Sequence, residues 1–181
     1  MNTLYGNVEN NILTKAKQMK LLVCDVDGVF SDGRIYLGND GEELKAFHTK
    51  DGFGIKALGA SGVAVAIITG RNSTIVANRM KALNVAHIIQ GQEDKLPALI
   101  DLIQQLDITI DEVAYIGDDV PDLPCIKAVG LGISVSDGHP LVLRGADYTT
   151  FTPGGFGAVR ETCDLIMQCQ NNLNNASGAS I

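Results

Sequence analysis

The sequence reads as an α/β protein: a Rossmann-like open parallel sheet with helices on both faces, capless, and with a β-hairpin inserted after the first core strand. Three observations predict this. Apolar runs of strand length recur with helix-period segments between them, and such alternation builds a parallel sheet with right-handed crossovers. Each run ends at a polar loop, and ligands of these sheets bind beyond the carboxyl ends of the strands. Only one stretch breaks the alternation, and no other insertion is long enough for a separate cap domain.

In chain order, Val8 to Met19 is weakly helical, and Leu21 to Cys24 is the first buried-strand run. Beyond its loop, Arg34 to Phe47 reads as two strands around Asn39-Asp40-Gly41, a hairpin turn signal; the insertion covers about residues 33–48. Val63 to Ile68 is the next core strand. From Ser73 to Leu83, helical spacing puts Val76, Met80 and Leu83 on one face. Leu96, Leu99, Ile100, Ile103 and Leu106 repeat that spacing in the following segment. Val113 to Ile116 and Leu131 to Val135 complete the strand pattern. Residues 171–181, rich in Asn, Ser, Ala and Gly, read as a mobile tail on a single domain spanning 1–181. There is no internal repeat.

Length and composition agree. The chain has 181 residues, 45% apolar and 19% charged, which suits one globular domain. A net charge of −7 argues against nucleic acid and anionic membranes as partners. The longest apolar stretch is too short to cross a bilayer, and the polar first twenty residues lack a signal-peptide pattern, so a cytoplasmic location is expected. Cys24, Cys125, Cys163 and Cys169 have neither CxxC pairing nor a histidine at metal spacing, and read as reduced thiols.

The chemistry gathers at the strand ends. Asp25-Val-Asp27-Gly28 follows the first strand, and its two carboxylates need a cation or a shared proton to be tolerated together. Gly28 lets the chain turn sharply there. A second acidic loop, Gly117-Asp118-Asp119-Val-Pro-Asp122, follows the Val113 strand. Five carboxylates at two strand ends make the hard, oxygen-rich surroundings that Mg²⁺ prefers. Thr69-Gly70-Arg71, ahead of a helix, reads either as a turn or as a cradle for phosphate oxygens. Lys95, where the next helix opens, is either surface charge or a cation offsetting a carboxylate and a phosphoryl group.

The order DxDG, hydrophobic-Thr-Gly, Lys, GDDxxD resembles that of haloacid dehalogenase superfamily phosphatases, over Lys20 to about Gln170. The resemblance implies Asp25 as nucleophile and Asp27 as general acid/base, with Thr69 and Lys95 binding the phosphoryl group. It implies Mg²⁺ held by Asp25, the main-chain carbonyl of Asp27, and Asp118, and leaves open whether Asp119 or Asp122 supports the metal shell. More narrowly, Asp25 to Gly33, the hairpin, Phe47 to Ile55 and Pro153 to Arg160 resemble the capless family acting on 3-deoxy-D-manno-octulosonate 8-phosphate in lipopolysaccharide biosynthesis. That family is tetrameric, so a homotetramer built on the hairpins is implied. Substrate contacts are then implied at His48, Thr49, Lys50, Asp51, Gly52, Lys56, Gly70, Arg71 and Arg79. Arginines suit a substrate with both a phosphate and a carboxylate. Lys56 and Arg79 also fit an exposed helix face, and His48 a surface position at the hairpin's end. His87 and His139 are read as ordinary residues.

The implied reaction is attack by Asp25 on phosphorus, with Asp27 giving a proton to the leaving oxygen and then taking one from water. Within this reading the nearest alternative is another sugar-acid phosphate, such as a nonulosonate 9-phosphate. A phospho-accepting signalling receiver would share the acids, Thr, Lys and magnesium, but would place the accepting Asp after its third strand. A non-catalytic relative of the same fold would have no need of both Asp25 and Asp27.

Overall fold

The computed structural model describes residues 2–173. From the N-terminus come α1 (Asn10–Lys17), β1 (Leu21–Cys24), β2 (Tyr36–Leu37), β3 (Glu43–Leu44), α2 (Thr49–Ala60) and β4 (Ala64–Ile68). Next are α3 (Thr74–Ala82), β5 (His87–Ile89), α4 (Lys95–Leu106) and β6 (Val113–Gly117). The chain continues through α5 (Leu123–Ala128), β7 (Leu131–Ser134), α6 (Pro140–Gly145), β8 (Tyr148–Thr149) and α7 (Ala158–Cys169). The tail expected over 171–181 lies, from residue 174, outside the described residues.

Six strands pair in the order β5-β4-β1-β6-β7-β8, all parallel. The central strand, Leu-Leu-Val-Cys, is apolar at every position because helices cover both faces of the sheet. Leu22 and Cys24 point into a core shared with α1, α2, α3 and α7. Leu21 and Val23 point the opposite way, toward α4, α5 and α6. This two-sided burial is the α/β architecture that the alternating runs predict. Among the described residues no helix is long and apolar enough to cross a membrane.

The hairpin forms where expected, but it is short. Tyr36 pairs with Leu44 and Leu37 with Glu43, antiparallel, around a turn in which Gly41 has φ +85°. Two strands absent from the sequence reading, β5 and β8, extend the sheet at its edges. The His48–Gly52 segment opens α2, a helix the sequence reading did not assign: His48 is the N-cap and its ring nitrogen accepts from the Lys50 amide. The four cysteines are free, three of them buried.

Register fixes the position of the functional end. Cys24 lies level with Ile67 of β4 on one side and Ile116 of β6 on the other. The chain therefore leaves β1, β4 and β6 side by side, delivering Asp25, Thr69 and Asp118 to the same carboxyl end of the sheet.

Candidate active site

The loop after β1 is wound tightly. The Asp25 amide donates to the Ile116 carbonyl (3.0 Å), and the amides of Val29, Phe30 and Ser31 all donate to the Val26 carbonyl. Gly28 sits at φ +89°, and any Cβ there would collide with the Asp118 carboxylate. Glycine is thus required twice over, by backbone conformation and by the approach of the second acidic loop.

Lys95 stands at the centre. Its ammonium lies 2.7 Å from Asp25 Oδ1 and 2.6 Å from Asp122 Oδ1, and all three residues are buried. Asp122 also accepts from the Tyr115 hydroxyl at Oδ1 (2.8 Å) and from the amides of Asp118 (3.1 Å) and Asp119 (3.2 Å) at Oδ2. Its acceptor capacity is filled by four donors. It therefore anchors Lys95 and the acidic loop, and it has little left to offer a cation.

Charge is crowded here. Burial, then the charge of Asp122, raises the Asp25 carboxyl to about 6, against the pull of Lys95. Burial, then Asp25 and Asp122, raises Asp118 to about 8. Burial alone would lower the Lys95 ammonium, but its two carboxylate partners outweigh that and hold it above the ordinary lysine range. Oxygens of Asp25, Asp118 and Asp122 lie within 4.8 Å of one another. An all-oxygen set whose carboxyls are held back from ionising fits a hard divalent cation, which would release the strain. With Asp122 occupied by its donors, Asp25 and Asp118 are the side chains free to hold it.

Asp27 occupies the other side. Lys45, from the chain just beyond β3, pairs with its Oδ1, which the Ser31 hydroxyl also approaches (3.4 Å). Arg71 Nε is 3.9 Å from Oδ2. Glu43 links the two cations, 3.5 Å from Lys45 and 3.6 Å from Arg71.

A cleft of about 550 Å³ opens over these groups, lined by Asp25, Asp27, Thr69, Gly70, Arg71, Lys95 and Asp118 among others. Those seven residues were all legible in the sequence. Asp119, Asp122, Gly33, Glu93 and Pro121 also line it. The cleft's lining does not include His48, Thr49, Lys50, Asp51, Gly52, Lys56 or Arg79. Asp51 is buried instead against α7, where Oδ1 accepts from the Arg160 amide (2.8 Å). Gly52 packs beside Arg79: a Cβ at Gly52 would lie 2.7 Å from the guanidinium. His87 lies in β5. His139 caps α6, and its amide holds the Asp118 carbonyl at 2.7 Å. Lys45 and Tyr115 escaped the sequence reading, since a hairpin lysine and a core-strand tyrosine carry no motif of their own.

Below the cleft, Gly154 and Gly155 press against the loop after β1. The Gly155 amide donates to the Val29 carbonyl (2.9 Å), and the Gly154 amide donates to Asp137 (2.8 Å). The buried Glu161 of α7 fixes the preceding segment, accepting from Tyr148, the Phe151 amide and both the amide and hydroxyl of Thr152.

Comparisons with known proteins agree with this geometry. A family model described as haloacid dehalogenase-like hydrolase matches residues 84–153. The 3-deoxy-D-manno-octulosonate 8-phosphate phosphatase of Escherichia coli strain K12 is 50% identical over 179 residues, 99% of this chain and 95% of its own length. The crystal structure of the Yersinia pestis enzyme of that name is 50% identical, with a TM-score of 0.98 over 100% of this chain and 98% of that one. The Moraxella catarrhalis enzyme, solved with magnesium ion, phosphate ion and KDO, is 49% identical, with a TM-score of 0.91 over 93% of this chain and 97% of that one.

Proposed function

The chain belongs to the 3-deoxy-D-manno-octulosonate 8-phosphate phosphatases of the haloacid dehalogenase-like hydrolases, and on that footing we propose that it hydrolyses this sugar-acid phosphate to KDO and phosphate through a phosphorylated Asp25. It is a phosphoric monoester hydrolase that uses Mg²⁺. The observation that carries the reading is Lys95, buried between Asp25 and Asp122, with Asp27 two residues beyond Asp25 at the same cleft.

Asp25 attacks phosphorus in line with the leaving sugar oxygen, and the P–O bond to the sugar breaks as the bond to Asp25 forms. Lys95 sets the orientation of Asp25 and offsets charge on the incoming phosphoryl group. The Thr69 hydroxyl, the Gly70 amide and Arg71 hold phosphoryl oxygens from the adjacent strand end. Asp27 gives its proton to the departing oxygen, then accepts one from the water that cleaves the acyl phosphate, which restores both carboxyls. Asp25, Asp118 and the Asp27 carbonyl would hold Mg²⁺, which would supply charge neutralisation and a template for the phosphate. Asp122 supports that shell through the Asp118 and Asp119 amides rather than by direct ligation.

We read 1–181 as one phosphatase domain, working in lipopolysaccharide biosynthesis in the cytoplasm. A homotetramer built on the hairpins is favoured by side chains that the isolated chain leaves bare: Tyr36 52%, Leu37 73% and Leu44 64% exposed. In that assembly His48, Thr49, Lys50, Lys56 and Arg79 take their substrate contacts across subunits, while the buried Asp51 and Gly52 act by seating α2. The test is phosphate release from a panel of eight- and nine-carbon sugar-acid phosphates with Mg²⁺. Preference for the octulosonate 8-phosphate by at least about tenfold in kcat/KM supports the assignment. Preference for a nonulosonate 9-phosphate would move it to the neighbouring specificity.

A further inference from the structure

Just beyond the exposed hairpin strands, one side chain turns away from solvent. Leu44 is 64% exposed, yet the next residue, Lys45, has no exposed side-chain area at all. Burying an ammonium is unfavourable unless it is paired. Lys45 is paired with Asp27 Oδ1, and Glu43 stands 3.5 Å away as a second partner. A hairpin lysine ordinarily lets its charged end reach water. Here the sequence spends a buried cation on one carboxylate.

We propose that Lys45 is a positioning residue for Asp27, so that the inserted hairpin is part of the proton-transfer machinery as well as a surface for assembly. The proposal rests on the reading of Asp27 as acid/base. A lysine ammonium has three donors and no acceptor, and the Ser31 hydroxyl lies on the same oxygen. Oδ1 is thereby committed to accepting from the protein. Oδ2, facing the half-exposed Arg71 that lines the cleft, is the oxygen left for the leaving group and for water. The turn after β1 fixes the Asp27 backbone but leaves its side-chain torsions free; Lys45 removes that freedom. Glu43 extends the same control to Arg71, which it holds at 3.6 Å. A misplacement of about 1 Å at such a group is enough to lower a rate about a hundredfold.

Positioning through Asp27 has a signature that general damage lacks: the loss depends on the leaving group. The experiment measures single-turnover rates of Lys45→Met, Lys45→Gln and Lys45→Arg on the sugar-acid phosphate, whose alkoxide needs a proton. It also measures the burst of 4-nitrophenol from 4-nitrophenyl phosphate, whose leaving group needs little. Expected for Lys45→Met and Lys45→Gln is a loss of about tenfold to a hundredfold on the sugar phosphate, with the aryl burst within about threefold of wild type. Lys45→Arg should recover part of the loss, because it restores a donor cation. Thermal unfolding with Mg²⁺ identifies variants that fold, and either Lys45→Met or Lys45→Gln suffices. Equal losses on both substrates, or no loss on either, would overturn the proposal. Asp27→Asn run in parallel separates the two readings. If it shows the leaving-group dependence and the Lys45 variants do not, only the role of Lys45 falls; if Asp27→Asn itself lacks it, the acid/base assignment falls.

Discussion

Removing the metal should make this protein's stability fall with pH, and the size of the effect follows from two carboxyls. In the unfolded chain both titrate near 3.8; in the metal-free fold Asp25 rises to about 6 and Asp118 to about 8. Between those limits the folded state binds more protons than the unfolded one, so stability decreases as pH rises. Asp25 alone moves about two units, which is on the order of 3 kcal/mol, and Asp118 acts in the same direction. For a domain of this size the Asp25 share alone is a fall of roughly 6–12 °C in Tm between pH 4 and pH 8, and Asp118 adds to it. Asp51, raised to about 6 by burial, adds a fall similar to that of Asp25 in the same window, and metal cannot remove it. Saturating Mg²⁺ should abolish the first part and leave the second, so stabilisation by Mg²⁺ grows with pH. With both carboxyls raised and Asp118 the more so, the metal-free site holds protons near neutral pH that Mg²⁺ binding should release. Unfolding in chelator and in Mg²⁺ across pH 4 to 9 measures the first effect. Calorimetry in two buffers of different ionisation enthalpy counts the protons. A Mg²⁺ stabilisation independent of pH, with no proton released, would refute this account of the acidic cluster.

Metal identity is the next test: chelated enzyme should be inactive, Mg²⁺ should restore turnover, and Ca²⁺ should not, because its longer bonds hold Asp25 and phosphate apart. Full activity in excess chelator would exclude the magnesium assignment. Gly155→Ala, at φ +75° with its added Cβ 2.6 Å from the Ser31 carbonyl carbon, should destabilise by about 1–3 kcal/mol in denaturant unfolding and lower kcat by displacing the Asp27 loop. Leu37→Lys combined with Leu44→Lys should shift sedimentation from a tetramer to smaller species. An unchanged assembly would place the contact elsewhere.

Much of this was legible in the sequence, and the gaps have physical causes. Leu21–Cys24 forms a strand with the bounds its apolar run predicts, because a central parallel strand must be apolar on both faces. β5 and β8 have only three and two residues, too few for a periodicity to register. α2 holds Gly52, Gly54 and Gly59, which dilute its helical pattern, so the sequence reading assigned no helix there. Asp25, Asp27, Thr69 and Asp118 could be found because each sits in a motif at a strand end, and Lys95 because it opens a helix in the order those motifs set. Lys45 lies eighteen residues from Asp27 in sequence, and only the fold of the hairpin brings them together. Asp122 was recognisable as acidic, but its role required seeing four donors converge on it.

The central claim is that a phosphoryl group resides on Asp25, and an acid quench tests it most directly. Asp27→Asn should keep the nucleophile and lose the base for the second step, so the phosphoenzyme should accumulate. Mixed with 4-nitrophenyl phosphate and Mg²⁺, then quenched and digested, this variant should give a burst of about one nitrophenol per site. The peptide containing Asp25 should gain the mass of one phosphoryl group, and Asp25→Asn should give neither signal. A burst without modification at Asp25, or a phosphoryl group on any other residue, would contradict the account.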